Sequence, residues 1–387
     1  MTKRGSTPEK RRTRGVTDLG AILSSRRICV VTGPGGVGKT TTAAALGLGM
    51  ARRGSKVAVV TIDPAKRLAA ALGTDSLGNE PARVSSRRLA RVGIDAAGSG
   101  QLWAMTLDSR QTFDDLITQL SPDEQSRDDV LSNRIYREMS GAVAGSQEFT
   151  AVAKLYELDR DGGFDLVILD TPPSRNAIDF LDAPARISNF FDGRALQILM
   201  RPAGFGLRLA GGGTGLLMGV LKRVTGFDLF GDLASFFSAV GGMVDGFSER
   251  AHAVAELLAD QQTAYLIVSS PEAAPVSEAL HLGRELAKRQ MTAGVVIANR
   301  VNIDPGAAPR SARTKPAVKA LGEELSAKLS AAIKSAREAA DHDASGLETL
   351  TAGLPNAELV IVPLLSGEVH DLKGLARIET ELFAGSD

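Results

Sequence analysis

A glycine-rich stretch near the amino terminus has the residue types and spacing of a phosphate site: Gly33-Pro34-Gly35-Gly36-Val37-Gly38-Lys39-Thr40. It fits the pattern G-x-x-x-x-G-K-[ST] of a phosphate-binding loop, or P-loop. Glycines let backbone N–H groups approach phosphate oxygens closely, and the positive end of the following helix adds to that attraction. Lys39 would reach the β- and γ-phosphates of a nucleotide, and the Thr40 hydroxyl would bind Mg2+. The residues expected to hold the nucleotide here are Gly33, Gly35, Gly36, Val37, Gly38, Lys39, Thr40 and Thr41.

A second candidate group for the same nucleotide site lies well downstream, where the apolar run 166–169 ends in Asp170. A carboxylate at the end of a strand beside the P-loop is the usual second protein group near the metal, called Walker B. Strands that end in aspartate are common, so this assignment depends on the P-loop in the same chain. The predicted cofactors are ATP and Mg2+, with Thr40 and Asp170 as the metal residues.

These groups need a scaffold, and the sequence predicts a doubly wound α/β fold. Short β-branched runs recur along the chain, at residues 28–32, 57–62, 166–169, 265–269, 295–298 and 359–362. Helical patterns lie between them, including 41–53 and 278–289. Strands that alternate with helices indicate right-handed crossovers and a mostly parallel sheet covered on both faces. In such sheets ligands bind beyond the carboxyl ends of the strands, where the two groups above fall.

Composition limits the partners. Lys plus Arg and Asp plus Glu both number 45, so no overall field favours nucleic acid, and none is expected as a partner. The single cysteine, Cys29, lies in an apolar run and is expected to be a buried strand residue, so no cysteine-based zinc site is expected. Residues 1–20 are predicted to form a disordered basic tail without a secretory signal, and a cytoplasmic location is expected.

Two segments depart from the strand–helix alternation. Residues 180–250 hold most of the phenylalanines and many glycines, and predict an inserted helical subdomain. The stretch 202–221 contains Gly211, Gly212 and Gly213 and is a poor membrane helix, so at most peripheral membrane contact is expected. Residues 305–353 predict a second helical segment. Within it, leucine or isoleucine recurs every four residues, which favours packing on the parent domain over partner binding, at Leu321, Leu325, Leu329 and Ile333.

The chain resembles the arsenical-pump and tail-anchored-protein-targeting ATPases. The resemblance lies in residues 33–41, 61–65, 170–174 and 363–369 and at Asn299, which together span nearly the whole chain and imply an ATPase domain over residues 21–387. It implies that Asp63 orients the attacking water. Lys39 and Asp63 are then the expected catalytic residues. It also implies that Asn299 and Pro363 lie beside the adenine.

The sequence departs from that family at several places. Family members usually carry a second lysine early in the P-loop, which reaches the partner's phosphates across a dimer, and here that position is Pro34. A homodimer would lack the lysine at both sites, so a heterodimer with a paralogue that retains it is preferred. Arg175 offers a substitute cation within the chain, or is a surface arginine, and Asn176 replaces the usual histidine. The zinc-binding cysteine pair of many relatives is absent, and one cysteine disfavours arsenite transport.

Two classes of function remain open. The first is an ATPase that couples hydrolysis to dimer rearrangement and to binding of a hydrophobic client or partner protein, with the insert 180–250 as the candidate groove. The alternative for that insert is packing on itself and the sheet. The second class is an ATP-binding regulatory or scaffold subunit of a heterodimer that hydrolyses little ATP. A chromosome- or plasmid-partitioning ATPase is disfavoured, because such proteins lack the phenylalanine-rich insert and display basic surface for DNA.

Overall fold

The strands of the described chain form one sheet in the order β3-β4-β2-β5-β1-β6-β7-β8. Residues 18–63, 67–94, 100–139, 146–172, 178–186, 236, 240–306, 319–367 and 369–384 are described by this structure, which is a computed structural model. The strands are β1 Ile28–Thr32, β2 Lys56–Thr61, β3 Ala82–Arg83, β4 Gln101–Thr106, β5 Leu166–Asp170, β6 Thr263–Ser269, β7 Ala293–Val301 and β8 Glu358–Pro363. All neighbouring strands pair in parallel except β3, which pairs antiparallel with β4. This architecture confirms the predicted fold class.

Helices cover both faces of the sheet. They are α1 Leu19–Ser24, α2 Lys39–Arg52, α3 Arg67–Leu72, α4 Ser86–Ala90, α5 Ser109–Leu120, α6 Glu124–Ser132, α7 Arg134–Met139, α8 Ser146–Asp161, α9 Val244–Ala259, α10 Ala273–Lys288, α11 Glu323–Gly353 and α12 Leu372–Leu382, with 178–186 also helical. Successive β1 residues alternate between two hydrophobic clusters: Cys29 and Val31 pack in one, Ile28 and Val30 in the other. Side chains of a strand point alternately to opposite faces, so both faces of the sheet are buried. Cys29 is a buried strand residue, as predicted.

Helix α2, which follows the P-loop, is held between the sheet and the C-terminal helix α12. A Cβ added at Gly47 would lie 2.5 Å from Cγ2 of Val59, and one at Gly49 would lie 2.2 Å from Cε2 of Phe383. The absent side chains therefore let α2 approach both neighbours closely. Arg52 and Arg53 at its end pair with the buried Glu379 of α12, at 3.2 and 3.6 Å. The C-terminal half of α2 is thus fixed by packing on both sides, which anchors the helix whose start faces the site.

Several boundaries differ from the sequence-based expectations. Helix α1 begins at Leu19, where the side chain of Asp18 accepts a hydrogen bond from the N–H of Ala21, so the predicted basic tail 1–20 is too long. Strands β3 and β4 were not predicted. Strand β7 continues to Val301, so Asn299 lies inside it rather than after it. Within the described part of the chain, none of the helices combines the length and apolar character needed to cross a bilayer.

The two predicted helical segments are described only in part. The interval 187–235 of the insert lies outside the described residues, together with most of its phenylalanines. Of those described, Phe180 and Phe247 are buried in two different hydrophobic clusters, and Met243 is buried in the cluster of Phe247. In the later segment, α11 carries three of the four apolar residues of the predicted series, and Leu321 precedes it. Leu321, Leu325 and Leu329 are 42%, 52% and 41% exposed and Ile333 is half-buried, so the prediction that this series packs on the parent domain was wrong for the three leucines. The helix buries Ala340 and Leu350 in its C-terminal half instead.

Candidate functional site

The predicted site residues meet at the carboxyl ends of the parallel strands. β1 leads directly into the P-loop, β2 ends at Thr61 two residues before Asp63, and β5 ends at Asp170. β5 lies between β1 and β2, so Asp170 is aligned with Val31 on one side and Thr61 on the other. Strand order therefore places a carboxylate from the middle strand beside the phosphate-binding loop.

The P-loop conformation depends on glycine at two positions. Gly33 has φ +148°, and a Cβ there would lie 2.0 Å from the carbonyl oxygen of Val268 on β6. Gly38 has φ +95°, and a Cβ there would lie 2.5 Å from Nδ2 of Asn299 on β7. Both backbone conformations are ones that residues with a side chain rarely adopt. The loop therefore packs directly on β6 and β7, and α2 starts immediately after it with its N-terminal N–H groups at the site.

Lys39 folds back over the loop that precedes it. Its Nζ donates a hydrogen bond of 2.9 Å to the carbonyl oxygen of Pro34, and the side chain is buried. Burial lowers the pKa of Lys39, while the nearby carboxylates Asp170, Asp63 and Glu278 oppose that shift. The residue thus supplies a partly desolvated ammonium group at the centre of the loop, where it suits a polyphosphate.

Asp170 has the geometry of a metal residue. Its Oδ2 accepts hydrogen bonds from the hydroxyls of Thr40, at 2.7 Å, and Thr61, at 2.8 Å. Its Oδ1 is buried and has no hydrogen-bond partner among the described residues. Burial raises the pKa of Asp170, although the two threonines and Lys39 favour the charged form. The buried carboxylate oxygen without a hydrogen bond and the neighbouring hydroxyl are hard oxygen ligands, which are the kind that Mg2+ prefers.

Asp63 stands at the mouth of the same site. Its backbone N–H donates to Oγ1 of Thr61 at 3.2 Å, and its Oδ2 lies 3.7 Å from Nε of Arg67 at the start of α3. The side chain remains about one third exposed, which suits a group that would contact water. Residues 64–66 lie outside the described chain.

Asn299 contacts the P-loop from β7. Its Nδ2 donates to the carbonyl oxygen of Val37 at 2.8 Å, and its Oδ1 accepts from the N–H of Arg300 at 3.0 Å. The side chain is buried. One N–H and one lone pair of the amide remain for a ligand, so the predicted adenine contact stays open.

Two neighbouring cavities surround these groups. The first, here called the phosphate cavity, has a volume of about 680 Å³ and is lined by P-loop residues, Asp63, Arg67 and Asp170. The second, here called the side cavity, has a volume of about 320 Å³ and is lined by Asn299, by Pro363 at the end of β8, and by the turn after it that includes Gly367. The residues that line both cavities are Gly38, Thr41, Arg300, Val369 and His370. A nucleotide placed with its phosphates on the P-loop would therefore find the side cavity beside them for its base.

Some residues of the site were not predicted, and others are not described. Thr61 and Arg300 were missed; Thr61 could have been found as the hydroxyl-bearing end of the strand before Asp63, and Arg300 as the neighbour of Asn299. Arg175 and Asn176 lie outside the described residues.

Comparisons with known proteins find that the chain is similar to proteins described as ATPases. A family model described as anion-transporting ATPase matches residues 26–352. An uncharacterised protein of Streptomyces coelicolor is 28% identical over 276 residues, 71% of this chain and 62% of that protein. ATPase get3 of Schizosaccharomyces pombe is 30% identical over 154 residues, 40% of this chain and 42% of that protein. ATPase GET3A of Arabidopsis thaliana is 25% identical over 276 residues, 71% of this chain and 67% of that protein.

The alignments are partial, and the chain spans less than two thirds of the length of the Streptomyces and Schizosaccharomyces proteins. The family match nevertheless covers the P-loop, Asp63, Asp170 and Asn299 in one continuous segment. It confirms the resemblance drawn from those residues. The chain belongs to the anion-transporting ATPase family.

Proposed function

We propose that this chain binds MgATP at the P-loop and hydrolyses it. The observation that carries the proposal is the arrangement of Thr40 and Asp170, whose side chains share a 2.7 Å hydrogen bond. Asp170 keeps a buried oxygen that has no partner among the described residues. Burying such an oxygen costs about 1–3 kcal/mol. A site that binds Mg2+ offsets that cost, whereas a purely structural aspartate would not.

Each of the other residues of the site has its own role in phosphoryl transfer. Lys39 and the N–H groups at the start of α2 bind the β- and γ-phosphates and stabilise the charge that develops on them. Thr40 and Asp170 would hold Mg2+, which would neutralise phosphate charge. Asp63, partly exposed and linked to Thr61, orients the attacking water. Asn299 and Pro363 border the side cavity and contact the base.

We further propose that hydrolysis is coupled to rearrangement of a dimer that binds a hydrophobic client or partner protein. The support is the family membership and the phenylalanine content of the insert. Phe180 and Phe247, at the two ends of the insert, are buried and would not contribute side chains to an exposed groove.

A second function is favoured by Pro34. Its carbonyl oxygen holds Lys39 in this structure, but its side chain offers no cation to a partner's site. A chain of this kind could serve as an ATP-binding regulatory or scaffold subunit, paired with a paralogue that supplies the lysine. Recovery of a lone, fully active homodimer from the native host would exclude this pairing.

Mg2+-dependent ATP hydrolysis by the purified chain tests both proposals. Lys39→Ala should lower the rate by about 100-fold or more, because it removes a preorganised charge from the transition state. Lys373→Ala, which removes an exposed charge from α12, should leave the rate unchanged. Binding of MgATP without turnover would favour the scaffold function. A chain that neither binds nor hydrolyses MgATP would contradict both.

A further inference from the structure

Strand β7 contains a β-bulge next to the P-loop. Ala298 is aligned with Ile361 on β8, but the next aligned pair is Val301 with Pro363. Asn299 and Arg300 on β7 therefore stand opposite a single residue of β8. Arg300 has φ +61°, a left-handed conformation that is uncommon for a residue with a side chain. Bulges of this kind bend a strand and redirect its side chains, often beside active sites.

The bulge directs two consecutive side chains to the same loop. In a regular strand, the side chains of Asn299 and Arg300 would point to opposite faces of the sheet. Here Asn299 donates to the carbonyl oxygen of Val37, and Nη1 of Arg300 donates to the carbonyl oxygen of Gly36 at 3.3 Å. The left-handed conformation costs about 1–3 kcal/mol, and such strain is concentrated at functional sites.

Arg300 lies where the two cavities meet, and it lines both. Among the described residues, two other strong cations line the phosphate cavity, and each already has a partner in the protein. Lys39 is folded onto Pro34, and Arg67 lies 3.7 Å from Asp63. The Arg300 side chain is exposed, and its protein partner in the described chain is one long hydrogen bond to a neutral carbonyl. A guanidinium has five N–H donors in a planar fork, so most remain for a ligand.

We propose that Arg300 binds the phosphate chain of the nucleotide and supplies, from within this chain, a cation that a second copy of the chain, with Pro34, could not supply across a dimer. The inference rests on the proposed function. A guanidinium matches phosphate oxygens in a bidentate geometry, whereas the side cavity next to it is lined largely by apolar side chains such as Val362, Leu364 and Leu365. The phosphate chain, rather than the base, is therefore its ligand.

Calorimetric titration of the full chain with MgATP, MgADP and adenosine tests this inference. Arg300→Ala should weaken binding of MgATP and MgADP by about 10- to 100-fold, in line with loss of charge-assisted hydrogen bonds. Binding of adenosine, measured directly or by competition, should change less than about twofold because no phosphate is present. Arg300→Lys should recover part of the affinity, since it restores the charge but not the planar fork.

Two controls separate this role from folding and from net charge. Arg300→Gly removes the guanidinium and also relieves the left-handed strain, so it should fold at least as well as the wild type and still lose affinity. Arg83→Ala removes an exposed charge from the edge strand β3 and should bind normally. Wild-type affinity for MgATP in both Arg300→Ala and Arg300→Gly would overturn the inference, as would an equal loss for adenosine. If the wild-type chain itself does not bind MgATP, the proposed function fails first.

Discussion

At the scale of single residues, the site is built around a carboxylate that is costly without its ligand. Asp170 is buried, receives two threonine hydroxyls on one oxygen, and has an unsatisfied second oxygen within the described chain. Burial raises the pKa of Asp170, so its carboxyl group binds a proton more tightly in the folded protein than in the unfolded chain. The stability due to Asp170 is therefore greatest below the ordinary pKa of an aspartate and is lost as the pH rises through the raised value.

Asp170→Asn should consequently stabilise the protein in the absence of Mg2+ at neutral pH, by about 1–2 kcal/mol, because the amide carries no charge to desolvate. Stability measured by urea unfolding between mildly acidic and neutral pH should also fall less with pH than in the wild type. The same variant should lose Mg2+-dependent nucleotide binding. Asp63→Asn, in the same cavity but partly exposed, should change stability by no more than about 0.5 kcal/mol. Equal effects of the two substitutions would contradict the assignment of Asp170.

At the scale of elements, the two halves of α11 differ in what they bury. In the N-terminal half, Leu325 is 52% exposed. In the C-terminal half, Leu350 is 1% exposed and is buried in the hydrophobic cluster that α10 and the sheet also form. Periodicity alone cannot distinguish these halves, because both repeat leucine on one helix face. What differs is the neighbour that each half meets, which depends on the tertiary fold.

Leu350→Ala should therefore destabilise the protein by about 2–4 kcal/mol, through lost burial and the cavity that remains. Leu325→Ala should change stability by less than about 0.5 kcal/mol, since that side chain is largely in water already. Urea unfolding of the two variants measures both values. A large loss for Leu325→Ala would show that its side chain is buried in solution.

The same contrast explains which elements were predictable. β1, β5 and β6 are continuous apolar runs buried on both faces, so their sequences identify them. β4 is less uniformly buried than these strands, and β3 has two exposed residues at the sheet edge, which leaves little pattern to read. The bulge at Asn299 and Arg300 depends on how β7 and β8 pair, and no residue type in that segment signals it. The P-loop and Asp170 were accessible because their motifs are local, whereas Asn299 was accessible only through the family resemblance.

At the scale of the whole molecule, the site lies at the carboxyl ends of the parallel strands, and each strand there contributes a different residue or segment. β1 leads into the P-loop, β5 ends at the carboxylate proposed to hold Mg2+, β2 leads to Asp63, and β7 contains the bulge that directs two side chains to the loop. Binding of MgATP at this site would tie together segments that are far apart in sequence. Nucleotide should therefore stabilise the fold as a unit, by an amount that increases with ligand concentration.

The most direct test is the affinity of the purified chain for ATP, measured by calorimetry with Mg2+ and again with excess chelator, for the wild type and for Lys39→Ala. Binding is required by both proposed functions and does not depend on a partner subunit. We expect tight binding only with Mg2+, and a loss of about 100-fold in Lys39→Ala. Equal affinity with and without Mg2+, or equal affinity of the two proteins, would contradict the assignment of this site.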